Sequence, residues 1–101
     1  MYVRIARFEN TEGNWDERIE AVRERMRFEG DSPMGQARDA VSRAMMLVDR
    51  ENNRGAGMIF CDTEEDVRRV DEAMNQMNPP SGGGTRSSVE IYEVAIDQEP
   101  S

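Results

Sequence analysis

Two short apolar segments that fail to alternate constrain this chain more than any other feature. Ala44-Met45-Met46-Leu47-Val48 is apolar throughout, and Met58-Ile59-Phe60-Cys61 follows the turn-forming run Glu51-Asn52-Asn53-Arg54-Gly55. Apolar runs this short, bounded by turn residues, suit buried strands. The pattern predicts strands over roughly 43–50 and 56–61, joined as a hairpin. Successive side chains of a strand point to opposite faces. Met45 and Leu47 therefore oppose Ala44, Met46 and Val48, while Met58 and Phe60 oppose Ile59 and Cys61. Both faces of the hairpin need cover from water.

The flanking segments show what the chain itself can supply. Residues 2–9 read as a strand, with Val3 and Ile5 alternating with Arg4 and Ala6 before Phe8. Asn10-Thr11-Glu12-Gly13 is turn chemistry, and Asn14 is a suitable N-cap, with acids at Asp16 and Glu17 in the first turn. Trp15, Ile19, Val22 and Met26 then recur at helical spacing and predict a helix over roughly 15–28. Its Arg and Glu residues form solvated faces. Gly30 suits a C-terminal cap and Pro33 a fresh start, and residues 34–41 read as a short helical turn or an irregular loop. Thr63 caps a second helix whose stripe is Val67, Val70, Met74 and Met77, ended by Asn78-Pro79-Pro80. Ser81–Ser87 is a polar, glycine-rich loop. Residues 89–96 form the last strand, with Val89 and Ile91 opposite Tyr92, Val94 and Ile96.

The order β-α-β-β-α-β predicts an α+β, ferredoxin-like fold: a four-stranded antiparallel sheet with two helices on one face. A length of 101 residues is room for one domain; we place it at 1–97, with a disordered tail at 98–101. Two helices cover only one face of the sheet. The other is largely apolar, and an exposed patch of that size is a liability in a monomer. The simplest cover is the same face of a second copy, packed about a two-fold axis. A homodimer enclosing a ligand-sized space is the expectation.

Composition excludes several function classes. The net charge of −8 would repel nucleic acid and anionic membranes. The absence of His removes Ser–His–Asp and Cys–His catalysis and His-ligated zinc or haem. The single Cys61 forms neither an internal disulfide nor a thiolate cluster, and points to a reducing, cytoplasmic setting. Gly82-Gly83-Gly84 precedes a strand rather than the helix a phosphate loop requires. No run is long and apolar enough to span a membrane, and the first residues show no apolar signal region. No metal site, cofactor site or catalytic motif is visible.

The element order, the hairpin segment Val48-Asp49-Arg50-Glu51-Asn52, the return from Gly55 to Cys61 and the helix start Asp62-Thr63-Glu64-Glu65-Asp66 together resemble the dimeric α/β-barrel superfamily. Within it the chain is most similar to the antibiotic biosynthesis monooxygenase-like branch, over roughly residues 2–96. The resemblance implies a dimeric α/β barrel that holds a small molecule between its sheets. It further implies a cofactor-independent monooxygenase acting on an aromatic or quinol-like substrate. Haem-degrading members use an axial His, and this chain has none. A non-catalytic small-molecule-binding or dimerisation module of the same fold is the alternative.

Candidate substrate-binding residues follow from strand parity. If Val3 and Ile5 face the helices, Arg4, Ala6 and Phe8 face the barrel interior. Arg4 would then pair with an anionic ligand or, more plainly, form an edge salt bridge with Glu90. Tyr92 would hydrogen-bond a phenolic substrate or pack at the interface. Phe8 and Met46 would line the cavity, although methionines are more often gap-fillers. Trp15 and Cys61 read as buried hydrophobes.

Overall fold

The computed structural model describes residues 1–9, 14–27, 30, 33–76 and 85–100. It contains β1 (Tyr2–Glu9), α1 (Trp15–Arg25), α2 (Pro33–Gln36), a 3-10 turn (Arg38–Ala40), β2 (Arg43–Asp49), β3 (Arg54–Cys61), α3 (Glu64–Asn75) and β4 (Thr85–Glu93). The four strands form one sheet in the order β2-β3-β1-β4, and all three pairings are antiparallel. This is a small α+β protein.

Local chemistry places the helices. Asn14 caps α1 by accepting from the Asp16 amide at 2.7 Å, and Thr63 caps α3 by accepting from Asp66 at 3.1 Å. The ambiguous stretch 34–41 resolves into α2 and the 3-10 turn, which bring Met34, Ala37 and Ala40 into the core. There they meet Val67, Val70 and Ala73 of α3 and Ile59 and Cys61 of β3. The helix expected over 15–28 ends as an α-helix at Arg25. Its expected apolar stripe is only half-buried beyond Trp15. The turn between β2 and β3 holds the start of α1: Trp15 Nε1 donates to Asn53 Oδ1 at 2.9 Å, and Arg50 pairs with Asp16 at 2.9 Å. Asn53 adopts φ 56°, a left-handed conformation that Asn tolerates.

The last strand is longer than the pattern suggests. β4 begins at Thr85, where a polar loop is expected, because β1 offers Phe8 and Glu9 as pairing partners. A register shift between Arg7 and Phe8 accommodates the extension. The expected turn at 10–13, the Glu29 and Asp31-Ser32 positions, the helix end at 77–80 and loop residues 81–84 lie outside the described residues.

Register settles which face each strand residue takes. Arg4 lies opposite Ile59 and Ile91, and Ile59 opposite Ala44. Ile59 belongs to the core beneath α3, with Ala44 and Tyr2 packed against it. Tyr2, Arg4, Ala6 and Phe8 therefore share the helix-covered face. Val3, Ile5 and Arg7 share the other. This corrects the parity expected for β1: the assumption that Val3 and Ile5 face the helices is reversed.

Candidate functional site

The face away from the helices is built from three rows that cross the sheet. Tyr92, Val3, Phe60 and Arg43 form the first, Glu90, Ile5, Met58 and Met45 the second, and Ser88, Arg7, Ala56 and Leu47 the third. Val3, Ile5, Phe60, Met58, Ala56, Met45 and Leu47 all come from the adjacent strands β1, β3 and β2, so the apolar surface is continuous. Val3 and Ala56 are buried, and Ile5, Met45, Met58 and Phe60 are half-buried. Leu47 remains 47% exposed and Tyr92 49%.

One corner of this face is polar. Arg7 Nε donates to Glu90 Oε1 at 3.0 Å, and Ser88 Oγ donates to the same oxygen at 3.3 Å. Tyr92 Oη donates to Glu90 Oε2. Three donors from alternate positions on β4 and the adjacent strand therefore converge on one carboxylate. Hydrogen bonds that stabilise the ionised form lower a carboxyl pKa. Tyr92 first, then Arg7, hold Glu90 below the usual carboxylate range. The same carboxylate pushes the Tyr92 phenol up. Glu90 thus stays ionised and Tyr92 stays neutral around pH 7.

Of the candidate residues, Tyr92 alone lies on this face. Arg4 is buried at 2% exposure on the helix side, and its Nε donates to Asp71 Oδ1 of α3 at 2.8 Å. It therefore does not face the space expected between sheets, and its ion-pair partner is Asp71 rather than Glu90. Phe8 also lies on the helix side, its ring tilted against that of Trp15 with centroids 6.2 Å apart and capped by the Arg18 guanidinium at 4.5 Å. Met46 pairs with Gly57 on that face. Arg4, Phe8 and Met46 form no common site with Tyr92. The missed residues are Ser88, Glu90 and Arg7. The i, i+2, i+4 spacing of Ser88, Glu90 and Tyr92 was the available signal. The Arg7 partner became visible only with the β1–β4 register.

Elsewhere the chemistry is committed. A shallow groove of about 280 Å³ between α2 and α3 is lined by Gln36, Ala37, Arg69, Glu72, Ala73 and Gln76. Arg69 there is bound to both Asp39 oxygens, at 2.9 and 3.0 Å, and to the Gln36 carbonyl. Cys61 is fully buried, and burial, then Asp66 and Asp62, push its thiol up to about 11. Among the described residues no cluster of three metal-ligating side chains occurs, and no helix is long and apolar enough to cross a membrane. Comparison of the chain with family models, curated proteins and solved structures finds no match.

Proposed function

We propose that two copies of this chain pack as a ferredoxin-like homodimer, their open sheet faces together forming a dimeric α/β barrel. In this reading the enclosed space takes a small aromatic or quinol-like molecule. The protein then acts on it as a cofactor-independent monooxygenase, the substrate itself supplying electrons to dioxygen. One observation carries the reading: a continuous apolar floor with a single polar corner, on a face the chain's own helices leave open. Binding sites are typically apolar with a few convergent polar groups. The corner also suits burial. Arg7, Ser88 and Tyr92 satisfy Glu90 mutually, which lessens the desolvation cost that an unpaired charge would incur.

A non-catalytic binding module of the same dimer is supported by a different observation. Glu90 is the one carboxylate in these three rows, and a carboxylate held ionised by three donors is a weak base. Oxygen uptake by the protein with 1,4-dihydroxynaphthalene, without added metal or flavin, separates the two. Uptake above the spontaneous rate that falls in Tyr92→Phe supports the oxygenase. Saturable binding without uptake supports the module. An absence of both uptake and binding contradicts the shared cavity.

A further inference from the structure

Resting on the proposed face-to-face dimer, we infer that each polar corner is completed by the other copy: Arg43 of the partner subunit sits against Tyr92 and Glu90, so one copy alone holds only part of the site. The charges of the open face lie towards its two edges. In the three rows Glu90 belongs to β4 and Arg43 to β2, the outermost strands, with the apolar positions between them. Arg7, on β1, is already matched by Glu90 at 3.0 Å. Arg43 is exposed and makes no ion pair or side-chain hydrogen bond among the described residues. The corner, for its part, has room for one more donor. An ionised carboxylate accepts at about four lone-pair sites. Glu90 Oε1 takes Arg7 and Ser88, whereas Oε2 takes Tyr92 alone. The Tyr92 ring beside it is about half exposed, and a guanidinium over a tyrosine ring is attracted by the ring's quadrupole.

Symmetry brings the two edges together. Sheets stacked face to face keep their strands within about 30° of alignment. That leaves two choices for a two-fold axis in the plane between them. An axis across the strands lays each strand over its own copy. The Glu90 edge then meets the partner's Glu90 edge, and Arg43 meets the apolar β2 of the partner subunit. An axis along the strands lays β4 over the partner's β2 and β1 over the partner's β3. Each row then meets itself reversed: Tyr92 meets the partner's Arg43, Val3 the partner's Phe60 and Ile5 the partner's Met58. The row at the hairpin end does the same and sets Glu9 over the partner's Arg54. Of the two, this axis places apolar on apolar and acid near base, with every contact made twice. Like charges set against each other across an interface are costly and select against the alternative register.

The test is a pair of charge reversals, Arg43→Glu and Glu90→Arg, compared with wild type at pH 7 by native mass spectrometry and by dilution in the analytical ultracentrifuge. Each variant alone puts like charges at both corners of its dimer, and its dissociation constant should rise about a hundredfold or more. Mixed one to one, the two should form a heterodimer, because one corner then carries the swapped pair and the other the native pair. Arg43→Gln changes one exposed side chain, leaves the contacts of Glu90 within its own chain in place, and should weaken the dimer about tenfold, the factor for a lost charge-assisted hydrogen bond. Circular dichroism verifies folding. If Glu90→Arg fails to fold, the graded loss from Arg43→Gln to Arg43→Glu decides alone. Arg43 variants that dimerise as wild type does overturn the assignment and leave the dimer standing. A Glu90→Arg chain that pairs with wild type in preference to Arg43→Glu places the two Glu90 edges together and overturns the axis. A monomeric wild type overturns the inference together with the dimer on which it rests.

Discussion

Replacing Asp71 by Ala should cost this protein far more than replacing its buried partner. Arg4 is 2% exposed and is the largest fully buried side chain among the described residues. Its Nε is held by Asp71 at 2.8 Å, and its Nη2 is buried without a hydrogen-bond partner among the described residues. Removing one member of a buried pair leaves an uncompensated charge, at about 3–5 kcal/mol. Asp71 is itself 30% exposed, which places the expected loss near the lower end, about 3 kcal/mol. For a domain of this size that corresponds to a fall in Tm of about 12–24 °C. Arg4→Met keeps the aliphatic stem and removes both the charge and the orphaned nitrogen. Such replacements are often neutral or stabilising by about 1–4 kcal/mol, so this variant should lie within about 1 kcal/mol of wild type or above it. Urea unfolding at fixed chain concentration, followed by circular dichroism and by fluorescence of the single Trp15, measures both. Equal losses in the two variants would refute the reasoning. They would mean that the guanidinium is needed for its hydrogen bonds and that Asp71 does not act as its counter-charge.

Three further outcomes follow from the same structure. A Cβ at Gly55 would lie 2.8 Å from the Leu47 carbonyl and 3.0 Å from the Phe8 ring, whereas one at Gly57 meets nothing within 4 Å. Gly55→Ala should therefore lower stability by about 1–3 kcal/mol and Gly57→Ala should leave it unchanged or raise it by about 0.4–1 kcal/mol, read from unfolding midpoints. Cys61, buried and with its thiol pushed up to about 11, should resist iodoacetamide at pH 8 in the folded protein and react once urea is added. Asp39, Asp49 and Glu90 are each held below their ordinary pKa, chiefly by hydrogen bonds from Arg69, Asn52 and Tyr92 respectively. A lowered folded-state pKa stabilises above the unfolded value and loses that contribution as pH falls. Unfolding midpoints should decline as pH drops below about 4.5, and Glu90→Gln should decline less steeply.

The partition of each strand into two faces was legible in the sequence, because parity is a local property of alternation. Which partition the helices would cover was not. β1 is apolar on both parities, and a one-residue shift moves every side chain to the other face without changing composition. With Val3 and Ile5 set against the helices, parity alone puts Arg4 on the other face, where a charge needs a ligand or an edge partner. Its burial depends on Asp71, 67 residues away, and no local pattern announces that pairing. The start of β4 was misjudged for the same reason. Thr85 to Ser87 is polar and reads as loop, and only the backbone of β1 makes it a strand. Helix caps at Asn14 and Thr63 were legible because their hydrogen bonds span two or three residues. The polar corner needed both kinds of information: spacing within β4, and the register that sets Arg7 against Ser88.

Subunit mass tests the central claim most directly, since the proposed cavity exists only if a second copy covers the open face. Native mass spectrometry of the gently purified protein, beside Leu47→Asp, supplies it. The account predicts a dimer for the wild type, carrying a small aromatic molecule or able to take up 1-naphthol, and a monomer for Leu47→Asp with its circular dichroism unchanged. A wild type that is monomeric and folded at micromolar concentration, with Ile5, Leu47, Met58 and Phe60 left uncovered, would contradict it.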